Sequence, residues 1–213
     1  MVLRNLENIK SSIVVLPAKD TNVEIGSLEL SKVISNPSGG QIGEVLQFTS
    51  LKDQTAIVVV GGKIQFQDES GGEPTKHRLP EIVQGFLSIL RGQGLDSFKA
   101  YGFNFEVTFD VREYPTAAES IADQFINSKA LKDRAELDIS GAGVKLFFDH
   151  SGGRCRLVIE PRLQEVTTPV VFATINYHYD LEGEDLPTLD ELRVKYAGQW
   201  THFKEQILGK LMG

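Results

Sequence analysis

From Tyr101 onward the chain alternates apolar and polar residues with a period of two. Tyr101, Phe103, Phe105, Val107, Phe109 and Val111 stand between Gly102, Asn104, Glu106, Thr108 and Asp110. In a pleated strand this puts aromatic and β-branched groups on one face and polar groups on the other, so Phe98 to Val111 reads as a long, half-buried strand of an antiparallel sheet. The stretch Val171 to Leu181 repeats the design. Val171, Ala173, Ile175, Tyr177, Tyr179 and Leu181 are expected inward, and Phe172, Thr174, Asn176, His178 and Asp180 outward.

Shorter runs fill in the rest. Ser12 to Leu16, closed by Pro17, suits a first strand, and Gly43 to Thr49 another. The span Thr21 to Asn36 reads as extended, with a break at Asn36 to Gly40. Ile57 to Val60, Gly61-Gly62 and Lys63 to Gln67 make a two-residue hairpin, because paired glycines accept the positive φ of a primed turn. Its register places Val60 opposite Lys63, Val59 opposite Ile64, Val58 opposite Gln65 and Ile57 opposite Phe66. A second hairpin carries Val144, Leu146 and Phe148 on one arm and Cys155, Leu157 and Ile159 on the other. Phe148 pairs there with Cys155 or with Leu157, and both registers keep the same residues inward. The polar loop Asp68 to Arg78 is expected to be mobile.

Helical spacing appears three times. Pro80 opens a helix with Ile82, Val83, Phe86, Ile89 and Leu90 on one side, ended by Gly92 and Gly94. Thr116 with Glu119 and Thr188 with Glu191 have the spacing of capping boxes. The second of these opens a long C-terminal helix with the stripe Leu189, Leu192, Tyr196, Trp200, Phe203, Ile207 and Leu211. Asn127 to Asp138 is charged and gives no clear period. Strand runs with helices gathered beside them predict an α+β protein: an antiparallel sheet, as one sheet or as two sheets or similar halves, with helices on one face. The chain divides into a strand-rich half, 1–94, ending in a helix, and a half, 95–213, of strand, helix, three strands and the long helix. One continuous domain is the alternative.

Composition narrows the function classes. A net charge of −7 and a pI near 5.2 argue against broad binding to nucleic-acid phosphates, so no nucleic-acid partner is expected. The single cysteine, Cys155, closes no internal disulfide, and no Cys/His spacing suggests zinc. No metal or other cofactor is therefore expected. No stretch approaches the roughly 18 to 20 apolar residues of a membrane span, and the first residues lack the apolar core of a signal peptide, so a cytoplasmic protein is expected. Twelve phenylalanines against one tryptophan place most of the aromatic payload in groups without a polar atom to satisfy.

The outward residues of the two long strands carry the most suggestive chemistry. If the strands are neighbours, Glu106 and Asp110 share a face with His178 and Asp180, which offers carboxylates beside an imidazole for ligand binding or proton transfer. The wetted face of any one-sided sheet gives the same pattern. Arg154, Arg156 and Arg162 alternate near the second hairpin and suit an anion or an acidic partner, or simply a charged strand edge. The segment Asp149 to Arg156 sets Asp149, His150 and Cys155 close in sequence, the outline of a nucleophile beside a base. Its Cys155, however, points inward in either register. No catalytic or phosphate-binding motif occurs. The expectation is a non-enzymatic binding or assembly protein that uses a sheet edge or face and the long helix, with a protein partner or self-association into a homo-oligomer. The alternative is a small-ligand binder or enzyme with a pocket between the sheet and the C-terminal helix.

Overall fold

The computed structural model describes residues 4–19, 27–111, 113–126, 142–162, 169–182 and 185–212. Among the described residues nine strands form one antiparallel sheet: β1 (Arg4–Pro17), β2 (Ser38–Ile42), β3 (Val45–Ser50), β4 (Thr55–Val60), β5 (Lys63–Asp68), β6 (Phe98–Asp110), β7 (Val144–His150), β8 (Gly153–Pro161) and β9 (Val170–Asp180). Their order across the sheet is β2-β3-β4-β5-β1-β6-β9-β8-β7. The two halves of the chain thus meet in a single sheet, not in two. The meander β2–β5 lies on one side of the β1/β6 pair, and β7–β9 lie on the other. The 94/95 boundary falls between the helix that follows β5 and the first residue of β6.

The alternation in β6 and β9 sets the core. All inward residues of both strands from Tyr101 to Phe109 and from Val171 to Tyr177 are fully or almost fully buried. The strands pair with Phe103 opposite Tyr177 and Phe105 opposite Ile175, so the two apolar walls are continuous. The hairpin β4/β5 has the expected register throughout, from Ile57 opposite Phe66 to Val60 opposite Lys63. In β7/β8, Phe148 faces Cys155, and the turn closes to two residues, Ser151 and Gly152, both in the left-handed region.

Helices pack on the inward face: α1 (Ser27–Leu30), α2 (Leu79–Arg91), α3 (Ala117–Phe125) and α4 (Leu189–Thr201), which runs on through a π-helical segment (His202–Leu208) to Gly209–Leu211. Phe86 of α2 meets Phe66 edge-on at 5.3 Å. Residues Tyr196 and Trp200 of α4 pack on Phe103 and Phe105. The Thr188 box is complete: Glu191 N–H donates to Thr188 Oγ1, and Glu191 Oε2 accepts from Thr188 N–H. At Thr116 the hydroxyl accepts from Glu119 N–H. Among the described residues no helix is long and apolar enough to cross a membrane.

Four differences from the sequence reading have physical causes. Strand β1 is far longer than Ser12–Leu16 because its polar start pairs along β6 from Arg4 onward, while β5 joins on the other side from Ser11 to Val15. The extended reading of Thr21 to Asn36 gives way to α1 and a turn: Leu30, Val33 and Ile34, at i, i+3 and i+4, bury one side of it, while Thr21–Gly26 lie outside the described residues. Residues Ser38 to Ile42, which overlap the expected break at Asn36 to Gly40, form the edge strand β2, because the β3 ladder supports them from Ser38 onward. Along α4, the N–H of Gly209 bonds back to the carbonyl of Lys204, five residues earlier. This widened turn rotates the stripe, so Leu208 and Met212 are buried while Leu211 is 40% exposed. The span Asn127 to Asp138 lies outside the described residues.

Candidate functional site

The face of the sheet opposite the helices carries the polar positions. The register sets Gly102 opposite His178, Asn104 opposite Asn176 and Glu106 opposite Thr174. On the other flank of β6, Ser12 lies opposite Asn104 and Lys10 opposite Glu106. Strand β8 brings Arg156 opposite Asn176 and Arg154 opposite His178. A hydrogen-bonded row therefore crosses the strands. Gln65 Nε2 donates to Ser12 Oγ at 3.5 Å, Asn104 Nδ2 donates to the same Oγ at 3.0 Å, and Asn176 Nδ2 donates to Asn104 Oδ1 at 2.7 Å.

Around this row is a groove of about 330 Å³, lined among others by Lys63, Gln65, Asn104, Glu106, Arg156 and His178. An adjoining depression of about 540 Å³ continues over Phe147, Arg154 and Arg156 towards β7. Gly102 permits the shape. A Cβ there would lie 2.5 Å from the carbonyl oxygen of Tyr177, so no other residue fits without moving β9.

The charges in the groove are unequal in their commitments. His178 Nε2 lies 3.0 Å from Asp180 Oδ1, and Arg154 donates to both Asp180 oxygens at 3.0 and 3.1 Å. The hydrogen bond from His178, with the nearby Arg154, holds the Asp180 carboxyl below its usual range. Half-buried Glu106 is shifted the other way. Burial raises its carboxyl above the ordinary value, Lys10 opposes the shift, and Glu69 adds to it. Exposed Arg156 makes no ion pair or hydrogen bond among the described residues and stands over the end of the amide row.

The expected site residues fall into two groups. Glu106, Arg156 and His178 line the groove, Arg154 lines the adjoining depression and Asp180 holds Arg154 and His178, although Glu106 is four positions along β6 from the His178 level, roughly 13 Å. Asp110 and Arg162 lie at the opposite end. There Asp110 accepts from Asn5 Nδ2 at 2.7 Å and pairs along the ladder with Val170, whose carbonyl takes the Arg162 N–H. Among the described residues no three His, Cys, Asp or Glu side chains converge as a metal site. Ser12, Gln65 and Lys63 join the groove only because β1 neighbours β6 and β5 neighbours β1, which also sets Lys10 opposite Glu106. Nothing local in their sequence announces that neighbourhood.

Two other constellations have the residue types of catalysis but not the geometry. In the core, His77 Nδ1 faces both Ser11 Oγ at 3.0 Å and Asp68 Oδ1 at 3.5 Å, while Nε2 meets the carbonyl of Gly71 at 2.8 Å. A relay needs hydroxyl and carboxylate on opposite ring nitrogens, and the Ser11 hydroxyl is fully buried. The cluster instead fastens the loop after β5, which the sequence led one to expect as mobile. Glu73 in the same loop accepts from Trp200 Nε1 at 2.6 Å and from Lys204 at 2.5 Å, and these bonds, Lys204 first, hold its carboxyl below the usual range. In the second hairpin Cys155 is buried among core groups. Burial, with Asp149 adding to it, pushes its thiol up to about 11, which keeps it protonated and unreactive.

The space between β6 and α4 is filled by rings. Phe105 lies 5.2 Å from Tyr196, 5.5 Å from Trp200 and 6.4 Å from Phe203, centroid to centroid.

Compared with protein-family models and with curated proteins, the chain has no match.

Proposed function

We propose that this is a non-enzymatic binding protein that receives an acidic segment of a protein partner on the face of the sheet left uncovered by its helices. The observation that carries the reading is the amide row Gln65–Ser12–Asn104–Asn176 running across four strands to Arg156. Its hydroxyl and amide groups retain donors and acceptors that a peptide backbone can take up, and the Arg156 guanidinium at its end, unpaired among the described residues, offers a paired fork to a carboxylate. The chain carries net negative charge, so a local cluster of Arg154, Arg156 and His178 is a place where an acidic partner meets least repulsion. Filled space beneath α4 directs binding to the outer face.

The test is fluorescence anisotropy with a labelled oligoglutamate peptide against the intact protein. Binding that weakens at least about tenfold in Arg156→Glu, and that falls with added salt, supports the reading. Equal binding by the wild type and the variant contradicts it.

A further inference from the structure

The sheet ends at β7, which pairs with β8 on one side only. The left-handed turn Ser151–Gly152 makes His150 and Gly153 the hydrogen-bonded closing pair of the hairpin. Alternation along the strand then turns the backbone N–H and C=O groups of Lys145, Phe147 and Asp149 away from β8, towards the open edge. Among the described residues no strand takes them up. The side chains of this edge are apolar on both faces: Phe147 is 71% exposed on the outer face and Leu146 is 36% exposed on the inner one. The opposite edge, β2, has the sequence Ser-Gly-Gly-Gln-Ile and exposes one large apolar side chain, Ile42, at its last position. An open edge with exposed apolar groups is a template for another strand.

We propose that the strand it receives is β7 of a second copy of this chain, antiparallel and related by a twofold axis through Phe147. Charge complementarity within the seven-residue strand selects this partner and register. Lys145 stands two residues before Phe147 and Asp149 two residues after it. In the twofold register centred on Phe147, Lys145 of each copy faces Asp149 of the other, and the two Phe147 side chains face each other. All three edge-directed residues of each strand then find backbone partners. Leu146 faces Phe148 of the other copy and extends the apolar row that β8 begins with Leu157.

Neighbouring registers lose these features. A slip of one residue sets inward side chains against outward ones. A slip of two places Lys145 against Phe147, or Phe147 against Asp149. Further slips place Lys145 against Lys145, or Asp149 against Asp149. On the outer face Arg154 already neighbours Asp149 through the β8 ladder, so the carboxylate is flanked by Arg154 and by Lys145 of the second copy. The depression over Phe147, Arg154 and Arg156 runs out at this edge, and Phe147 of the second copy supplies its missing wall. The pairing stands whatever the outer face binds.

Sedimentation velocity of the full chain over a range of concentrations tests it. The wild type is expected to dimerise. Lys145→Asp and Asp149→Lys each set like charges opposite one another twice and should weaken the dimer at least about tenfold, and the double variant K145D/D149K should restore it. A wild type that is monomeric throughout, single variants that dimerise as the wild type does, or a double variant that fails to recover would overturn the proposal. Phe147→Cys supplies a second readout independent of charge. Under mild oxidation it should form a covalent dimer, whereas Lys145→Cys, whose counterpart lies across the axis, should not. Equal cross-linking of the two, or none at Phe147→Cys, would also overturn it.

Discussion

The imidazole of His150, at the tip of the β7/β8 hairpin, lies flat on that of His202 in the π-helical turn, with centroids 3.5 Å apart and planes within 5°. Tyr177 Oη is 2.8 Å from His202 Nδ1. Burial pushes the Tyr177 hydroxyl above its ordinary value, so it keeps its proton and donates it to a neutral His202. Burial first, and then the neighbouring His150, lower the His202 value below the ordinary 6.5. The unfolded chain therefore takes up this proton at a higher pH than the folded one. Stability from this site is fully present above about pH 6.5 and is lost as pH falls towards the folded-state value. Urea unfolding at several pH values should show a decline below pH 6.5 that is shallower in His202→Gln; parallel profiles would count against the stack as its cause.

Glu106 predicts the opposite sign. Its raised carboxyl value means that the folded state holds the proton to a higher pH than the unfolded one, so ionising it costs stability as pH rises. Glu106→Gln should raise the urea midpoint at pH 7, with the gain shrinking as pH approaches 4. A lower midpoint at pH 7 would mean that attraction to Lys10 outweighs burial.

The widened turn in α4 separates two leucines three residues apart. Leu208 is fully buried and Leu211 is 40% exposed, whereas an unbroken helical stripe puts Leu211 inside. Leu208→Ala should cost about 2–5 kcal/mol and Leu211→Ala less than about 1 kcal/mol in chemical denaturation. Equal costs would restore the regular helix.

At Gly102 the groove and the sheet depend on the same missing side chain. Gly102→Ala forces its Cβ against the Tyr177 carbonyl and should cost roughly 1–3 kcal/mol. Amide exchange should quicken at Asn176 to His178, the β9 stretch facing it; unchanged exchange there would show that β9 yields without loss of pairing.

The features legible from residues alone were those with local periodicity. The β4/β5 register came from two glycines and alternating branched residues, and the shared face of Asn104, Glu106, Asn176 and His178 came from two long period-two runs. The position of β1 could not be read this way. Its first half, Arg-Asn-Leu-Glu-Asn-Ile-Lys-Ser, has no alternation to distinguish a central strand from a loop, and Ser11 and Ser12 are buried because His77 and Asn104 bond them from far along the chain. The groove inherits this limit, since Ser12, Val14, Leu16, Lys63 and Gln65 of its lining arrive with β1 and β5. The π-turn was hidden for another reason: both hydrogen-bond patterns leave an apolar residue available for the core, Leu208 in one and Leu211 in the other.

The outer face as a binding surface is tested most directly by nuclear magnetic resonance of the ¹⁵N-labelled protein titrated with oligoglutamate, with oligolysine as control. Oligoglutamate-specific shifts are expected, centred on Asn104, Arg156, Asn176 and His178, with α2 and the buried face of α4 unmoved. Shifts confined to the helical layer, or the same response to both peptides, would contradict it.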